Sequence, residues 1–142
     1  MGMYTALHLS VALKSDDMEV INVLKYMCGD EDYLPRDEDL EHPLFATNRW
    51  RSMLRCSSFY HNTVGMSSVV DKMGDHRHYV LNVMSDFKNY SGEVKEFMSY
   101  IAPHIDHYSG DFLGYTRYEE MKDPTLIYYR NGQIEYKEVG NE

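Results

Sequence analysis

Residues 4–14, YTALHLSVALK, alternate between two kinds of side chain. Successive side chains in a β-strand point to opposite faces of its sheet, so this pattern predicts a strand with one strongly apolar face. Such a strand suits an antiparallel sheet that is covered on one side and left open on the other. The apolar set is Leu7, Leu9, Val11 and Leu13, and the second set is Ala6, His8, Ser10 and Ala12.

Two segments have the spacing of amphipathic helices, with apolar residues at positions i, i+3, i+4 and i+7. The first is residues 15–29, and the second is residues 90–103, for which Ser91 is the expected N-cap. A short third helix is predicted over residues 47–56, packed through Trp50. The apolar stripes are Val20, Val23, Leu24 and Met27 in the first helix, and Val94, Phe97, Met98 and Ile101 in the second.

Four further segments predict strands, which makes the element order β-α-(α)-β-β-α-β-β-β. The first part of this order, β-α-β-β-α-β, is the split βαβ arrangement of ferredoxin-like domains. We therefore predict a single α+β domain over residues 1–142: an antiparallel sheet of five or six strands, two main helices on one face, a ferredoxin-like core and a C-terminal β-hairpin. The strands are expected at residues 58–73 and 76–87, joined by a turn at Gly74-Asp75, at 112–118, and at 125–139, a hairpin that turns at Asn131-Gly132.

The charge of the chain limits its partners. The formal net charge is -9, which argues against nonspecific binding to nucleic acid or to an anionic membrane, because both need local positive charge. Seven of the fourteen residues 30–43 are acidic, so this segment is expected to be a solvated loop, and it lacks the ligand spacing of an EF-hand. A basic protein partner fits the net charge.

The two cysteines, Cys28 and Cys56, lie in no C-x-x-C motif. Reduced thiols in a cytoplasmic protein are the expected state, since no signal-peptide pattern opens the chain and no apolar run is long enough to span a membrane. The sequence contains no dinucleotide or phosphate-binding fingerprint, so no cofactor is expected.

A two-histidine phosphoesterase is one alternative for function. His8-Leu9-Ser10 resembles one half of such a site, in which two histidines act as general acid and base and hydroxyls bind phosphate oxygens. His61 and Thr63 would supply the other half, although Asn62 breaks the apolar flank. Chance is the better account, because His-x-Ser arises readily on any strand with a half-polar face.

Two other groups of side chains suggest ligand binding. His76 and His78 would face the same way on a strand, and His104 and His107 follow the second helix, so a divalent metal site is an alternative. Exposed polar residues near a hairpin tip are the simpler interpretation. The other group is Arg49, Arg51 and Arg55, which could bind an anion but are better suited to tether the acidic segment nearby.

Tyrosine is unusually abundant, with 13 in the chain. Tyrosine suits both strands and interfaces, because it combines a large contact area with a polar end. We expect a noncatalytic domain that binds a protein partner or itself, with a homodimer through the open face or the terminal hairpin, and inhibition of a basic partner as one use. The expected contact surface comprises Tyr115, Tyr118, Tyr128, Tyr129 and Tyr136.

Three stretches carry a resemblance to known proteins: LKYMCG (24–29), HPLF…RWRSMLRCSSFY (42–60) and FLGYTRYEE (112–120). They resemble a family of small acidic bacterial and phage proteins of unknown function. The resemblance spans most of the chain and implies a bacterial or phage source, a cytosolic setting and a single domain. It implies no activity and no catalytic or binding residue.

Overall fold

Six strands form one antiparallel sheet in the computed structural model, which describes residues 3–14, 16, 18–57, 65–72 and 78–139. The strands are β1 (Thr5–Lys14), β2 (Ser68–Lys72), β3 (His78–Phe87), β4 (Asp111–Tyr118), β5 (Thr125–Arg130) and β6 (Gln133–Glu138). Their order across the sheet is β2-β3-β1-β4-β5-β6, and every neighbouring pair is antiparallel. The first strand of the chain therefore lies inside the sheet, paired on both sides.

The alternation of β1 corresponds to two different faces of the sheet. Its four apolar side chains are at most 5% exposed. The other set is half-buried or exposed at His8, Ser10 and Ala12. We call the side that carries Leu7 and Leu9 the helical face, and the side that carries His8 and Ser10 the open face.

Two helices, α1 (Met18–Met27) and α2 (Glu93–Ile101), pack against the helical face. The hydroxyl of Tyr79, which pairs with Leu13 in the sheet, donates to the sulfur of Met18 at 3.4 Å. Lys95 and Ser99 of α2 share a groove with Tyr136 of β6. The predicted α+β architecture with a six-stranded antiparallel sheet and two helices is thus confirmed.

The predicted helical stripes lie in one hydrophobic core together with the apolar set of β1. All eight stripe residues are at most 8% exposed. Fully burying one side chain of this size contributes about 1.5–3 kcal/mol, so the two stripes account for much of what holds the helices on the sheet. Within the described ranges, no helix is long and apolar enough to cross a bilayer.

The predicted cap of the second helix is wrong. The N-cap is Gly92, which has a left-handed φ of 74°, and Ser91 lies one residue earlier. The side chain of Asn89 instead accepts the N–H of Val94 at 3.0 Å. The Ser91 N–H donates to the buried Glu93 carboxylate at 2.8 Å, which draws this residue away from the capping position.

The predicted short helix around Trp50 is also wrong. Residues 50–55 form successive turns, with i→i−3 hydrogen bonds such as Arg55 N–H to Ser52 C=O at 2.9 Å. Trp50 is nevertheless 4% exposed and packs edge-on against Phe45, as its predicted packing role requires. Of the strand predicted over 58–73, residues 58–64 lie outside the described residues, as does the Gly74-Asp75 turn.

A bulge interrupts the pairing of β4 with β5 between Phe112 and Gly114. Gly114 lies against the backbone of His8 so closely that a Cβ there would overlap the His8 carbonyl. This glycine is therefore a point of close strand approach. Because the bulge adds one residue, Phe112 and Tyr115 project from the same face.

Candidate functional site

The open face of the sheet is the candidate site, because apolar side chains remain exposed there. Directly opposed residues of an antiparallel pair share a face, so the strand registers identify its members. They are Ser68, Val70 and Lys72 of β2; His78, Val80, Asn82, Met84 and Asp86 of β3; Ala6, His8, Ser10, Ala12 and Lys14 of β1; Phe112, Tyr115 and Arg117 of β4; Leu126, Tyr128 and Arg130 of β5; and Gln133, Glu135 and Lys137 of β6.

Four large apolar side chains on or beside this face are strongly exposed. Met66 is 66% exposed, Phe112 52%, Val70 45% and Met84 40%. Scattered exposed apolar residues are normal on a protein surface, but neighbouring ones on one face mark a candidate interaction surface. Met66, Met84 and Phe112 line one depression together with Tyr115, and we call these four residues the apolar cluster.

A shallow depression of about 390 Å³ lies within the apolar cluster. Met66, Met84 and Phe112 are apolar residues of its lining, and His8, Ser10 and Asn82 add polar groups. Binding sites are usually lined by apolar side chains together with a few polar groups that fix the orientation of the ligand. The depression can receive an apolar side chain of a bound segment, while His8, Ser10 and Asn82 can form hydrogen bonds with polar groups of the same segment.

His8 occupies the middle of this depression. Its ring stacks on Tyr115, with 4.8 Å between the ring centroids and 8° between the planes. Partial burial lowers the pKa of His8 below its usual value, while the Asp86 carboxylate acts in the opposite direction. The imidazole is therefore mainly neutral near pH 7 and can act as both a hydrogen-bond donor and an acceptor.

The charge of the open face differs from that of the whole chain. Its strand positions carry five Lys or Arg residues and two carboxylates, whereas the chain has a net charge of -9. Lys14, at the end of β1, directs its ammonium to the Pro103 carbonyl. Glu135 pairs with Arg130 at 2.6 Å. The cations are Lys14, Lys72, Arg117, Arg130 and Lys137, and the carboxylates are Asp86 and Glu135.

The five tyrosines predicted as one contact surface are divided between the two faces. Tyr115 and Tyr128 lie on the open face, where Tyr128 packs edge-on against Phe112. Tyr118 is opposite the buried Thr5, and Tyr129 packs against the core, so both lie on the helical face. Tyr136 also lies there, and burial together with the nearby Glu96 raises its pKa to about 12.

Only one half of the proposed two-histidine pair can be placed. His8 and Ser10 lie on the open face, as the alternation of β1 predicts. His61 and Thr63 lie outside the described residues, so the pairing of the two motifs stays a prediction.

The three arginines reach different groups instead of converging on one anion site. The guanidinium of Arg49 lies over Tyr90, and that of Arg51 lies over Trp50 and donates to the Tyr26 hydroxyl at 2.9 Å. Arg55 donates to the Arg51 carbonyl at 3.3 Å. Within the acidic segment, the carboxylates of Glu38 and Asp39 pair with its own Arg36.

The histidines proposed as metal ligands have separate surroundings. His78 lies on the open face and His104 stands beside Tyr100, while His76 is outside the described residues. His107 accepts the Ala12 N–H at 2.9 Å through Nε2, and its Nδ1 lies 2.9 Å from Asp111. Among the residues that the structure describes, no group of three potential ligands could hold a metal ion.

Sequence reasoning missed most of the apolar cluster. The alternation of Met84 with Val80 and Asn82 assigns it to the opposite side from Leu81, but a strand pattern alone does not show which side is exposed. The alternation of β4 could not assign Phe112 to the open face, because the bulge reverses the side of the sheet on which its side chain lies. Met66 lies before the first residue of β2, where no strand pattern applies.

Comparisons with known proteins add no function to this geometry: no family model matches the chain, and neither a curated protein nor a solved structure matches it significantly.

Proposed function

We propose that the chain is a noncatalytic protein-binding domain whose open sheet face is the contact surface. The fold proposed with it is a ferredoxin-like core, β1 to β4 with α1 and α2, extended by a hairpin of β5 and β6. The strand order β2-β3-β1-β4 and the antiparallel pairing of β1 with both neighbours support this classification.

One observation carries the functional proposal: the apolar cluster and the polar groups of His8, Ser10 and Asn82 line one depression on the open face. Burying an exposed Met or Phe side chain contributes about 1.5–3 kcal/mol, so a partner that covers Met84 and Phe112 gains a large share of a typical binding energy. His8 stacked on Tyr115 adds a flat surface of low flexibility, which costs little entropy on binding.

The partner that fits best is a protein segment with apolar residues flanked by carboxylates. Lys72, Arg117 and Lys137 surround the apolar cluster at strand positions of the open face, and these cations attract an acidic partner. The net charge alone favours a basic partner, but binding depends on the charge at the contact surface. A basic partner would instead suit the acidic segment 30–41, away from the open face.

Selection of peptides from a random display library against the immobilised full chain tests this proposal. We expect recovered peptides to be enriched in large apolar residues next to Asp or Glu. Met84→Asp and Phe112→Asp should each weaken the binding of a synthetic recovered peptide at least about tenfold, because both remove apolar area and add repulsion. Each variant is first checked for native folding by near-ultraviolet circular dichroism.

Leu34→Asp is the matched control, since Leu34 is 72% exposed and lies beside α1, away from the open face. It should leave the affinity within about twofold, the size of a remote surface change. Recovery of no binding peptide, recovery of basic peptides, or equal losses in Leu34→Asp and Met84→Asp would each overturn the proposal.

A further inference from the structure

Among the described strands β6 is the last of the sheet, and its outer edge has a backbone pattern that suits a second copy of the chain. Asn131 and Gly132 have positive φ values of 53° and 78°, the geometry of a two-residue type I′ turn. Such a turn is closed by a hydrogen-bonded pair, here Arg130 and Gln133. Odd-numbered residues of β6 therefore bond to β5, and the N–H and C=O groups of Ile134 and Tyr136 point away from the sheet.

The sequence of β6 is self-complementary in one register. When two copies of β6 pair antiparallel with Tyr136 opposite Tyr136, the outward groups of both tyrosines form two backbone hydrogen bonds. Glu135 of each copy, which also pairs with Arg130 of its own chain at 2.6 Å, then lies directly opposite Lys137 of the other copy, on the open face. These are non-hydrogen-bonded positions, where side chains approach most closely, so two cross-strand ion pairs form.

Two neighbouring registers keep outward hydrogen-bonding groups opposite each other but bring like charges together. Centring the pair on Glu135 places Glu135 opposite Glu135, and centring it on Lys137 places Lys137 opposite Lys137. Like charges directly opposite each other destabilise a strand pair. Shifts by one residue turn the hydrogen-bonding groups away from each other, so charge and backbone together favour the Tyr136 register over these neighbouring ones.

We propose that the chain forms a symmetric dimer through β6, centred on Tyr136, with reciprocal Glu135–Lys137 ion pairs. The dimer joins two six-stranded sheets into one continuous sheet of twelve strands. Its two open faces become one surface, which carries two apolar clusters on the same side. This dimer does not require the depression, to which β6 contributes no residue, but it engages Lys137, one of the three cations proposed to attract an acidic partner.

Charge exchange in the full chain tests the dimer, with sedimentation equilibrium over a range of protein concentrations as the readout. Glu135→Lys and Lys137→Glu should each raise the dimer dissociation constant at least about tenfold, because each replaces two attractive pairs by two repulsive ones. The double variant Glu135→Lys/Lys137→Glu restores opposite charges and should return the constant to within about threefold of the original chain.

Tyr136→Pro gives a second test that does not depend on charge. It removes an N–H that points out of the sheet, so the β5–β6 ladder should persist while the dimer is lost. A chain that is monomeric at the highest concentration measured would overturn the proposal. The same holds for a double variant as weak as the single variants, or for a Tyr136→Pro chain that is folded and still dimeric.

Discussion

Gly114 of β4 lies directly against the backbone carbonyl of His8 on the neighbouring strand, and no side chain fits between them. The contact occurs beside the bulge that brings Phe112 to the same face as Tyr115. The absence of a side chain at Gly114 thus permits the close approach of strands on which the depression around His8 depends.

Gly114→Ala should destabilise the fold by about 2–4 kcal/mol, because the added methyl group overlaps backbone atoms that cannot rotate away. Denaturant-induced unfolding measures this loss. Ser10→Ala is the control, since Ser10 is exposed on the same strand and should change the free energy of unfolding by less than about 0.5 kcal/mol. Equal effects of the two substitutions would contradict the tight contact.

Glu93→Ala should cost about 2–4 kcal/mol of stability. The Glu93 side chain is fully buried and accepts two backbone N–H groups, from Arg49 at 3.0 Å and from Ser91 at 2.8 Å. Both donors lose their partner in the variant, and a buried unsatisfied group costs about 1–3 kcal/mol. Glu93→Gln keeps one accepting oxygen and should lose about half as much, which denaturant unfolding can resolve.

The thiol of Cys28 should react slowly with alkylating reagents. Burial raises its pKa from 9.0 to about 12, although the Arg55 guanidinium acts in the opposite direction. Since only the thiolate reacts, alkylation at pH 9 should be far slower in the folded chain than in denaturant. Cys56→Ser isolates the Cys28 signal, and equal rates in both states would contradict the prediction.

The same pKa shift has a consequence for stability. The folded state disfavours the Cys28 thiolate, so the contribution of this thiol is complete below pH 9 and is lost as the pH rises from 9 to about 12. In the Cys28→Ala variant, the free energy of unfolding should fall less steeply over this range. Parallel pH profiles for the two chains would contradict this linkage.

His8 should titrate below its usual pKa of 6.5 in an NMR pH titration, because partial burial disfavours its charged form. The unfolded chain binds this proton more readily, so the contribution of His8 to stability decreases as the pH falls through 6.5. Met84→Ala exposes the ring and should move the midpoint towards 6.5, whereas Leu34→Ala should not. A midpoint above 6.5 would contradict the partly buried placement.

Much of the fold follows from the sequence, because the strongest patterns coincide with burial. The four apolar residues of β1 and the stripes of both helices all lie in the core. The Asn131-Gly132 turn also occurs where its dipeptide predicts it, with positive φ at both residues. These features depend on local periodicity and turn geometry, which a single sequence contains.

The candidate surface was less predictable, because it depends on long-range register. Tyr128 and Tyr129 are consecutive in a strand and so cannot share a face. The sides of Tyr118 and Tyr136 follow from their pairing with Thr5 and Ile127, which the sequence does not specify. The cap of α2 was mispredicted because the buried Glu93 bonds to the Ser91 N–H and Asn89 supplies the cap.

The most direct test of the proposed contact surface is an NMR titration of the full chain with an acidic–apolar peptide recovered by display. We predict that the largest chemical-shift changes fall on backbone amides of the open-face strands around the depression, at Ser10, Asn82 and Tyr115. Amides of α1 should move little. Shift changes centred on α1 and the acidic segment 30–41, with Ser10, Asn82 and Tyr115 unmoved, would contradict the account.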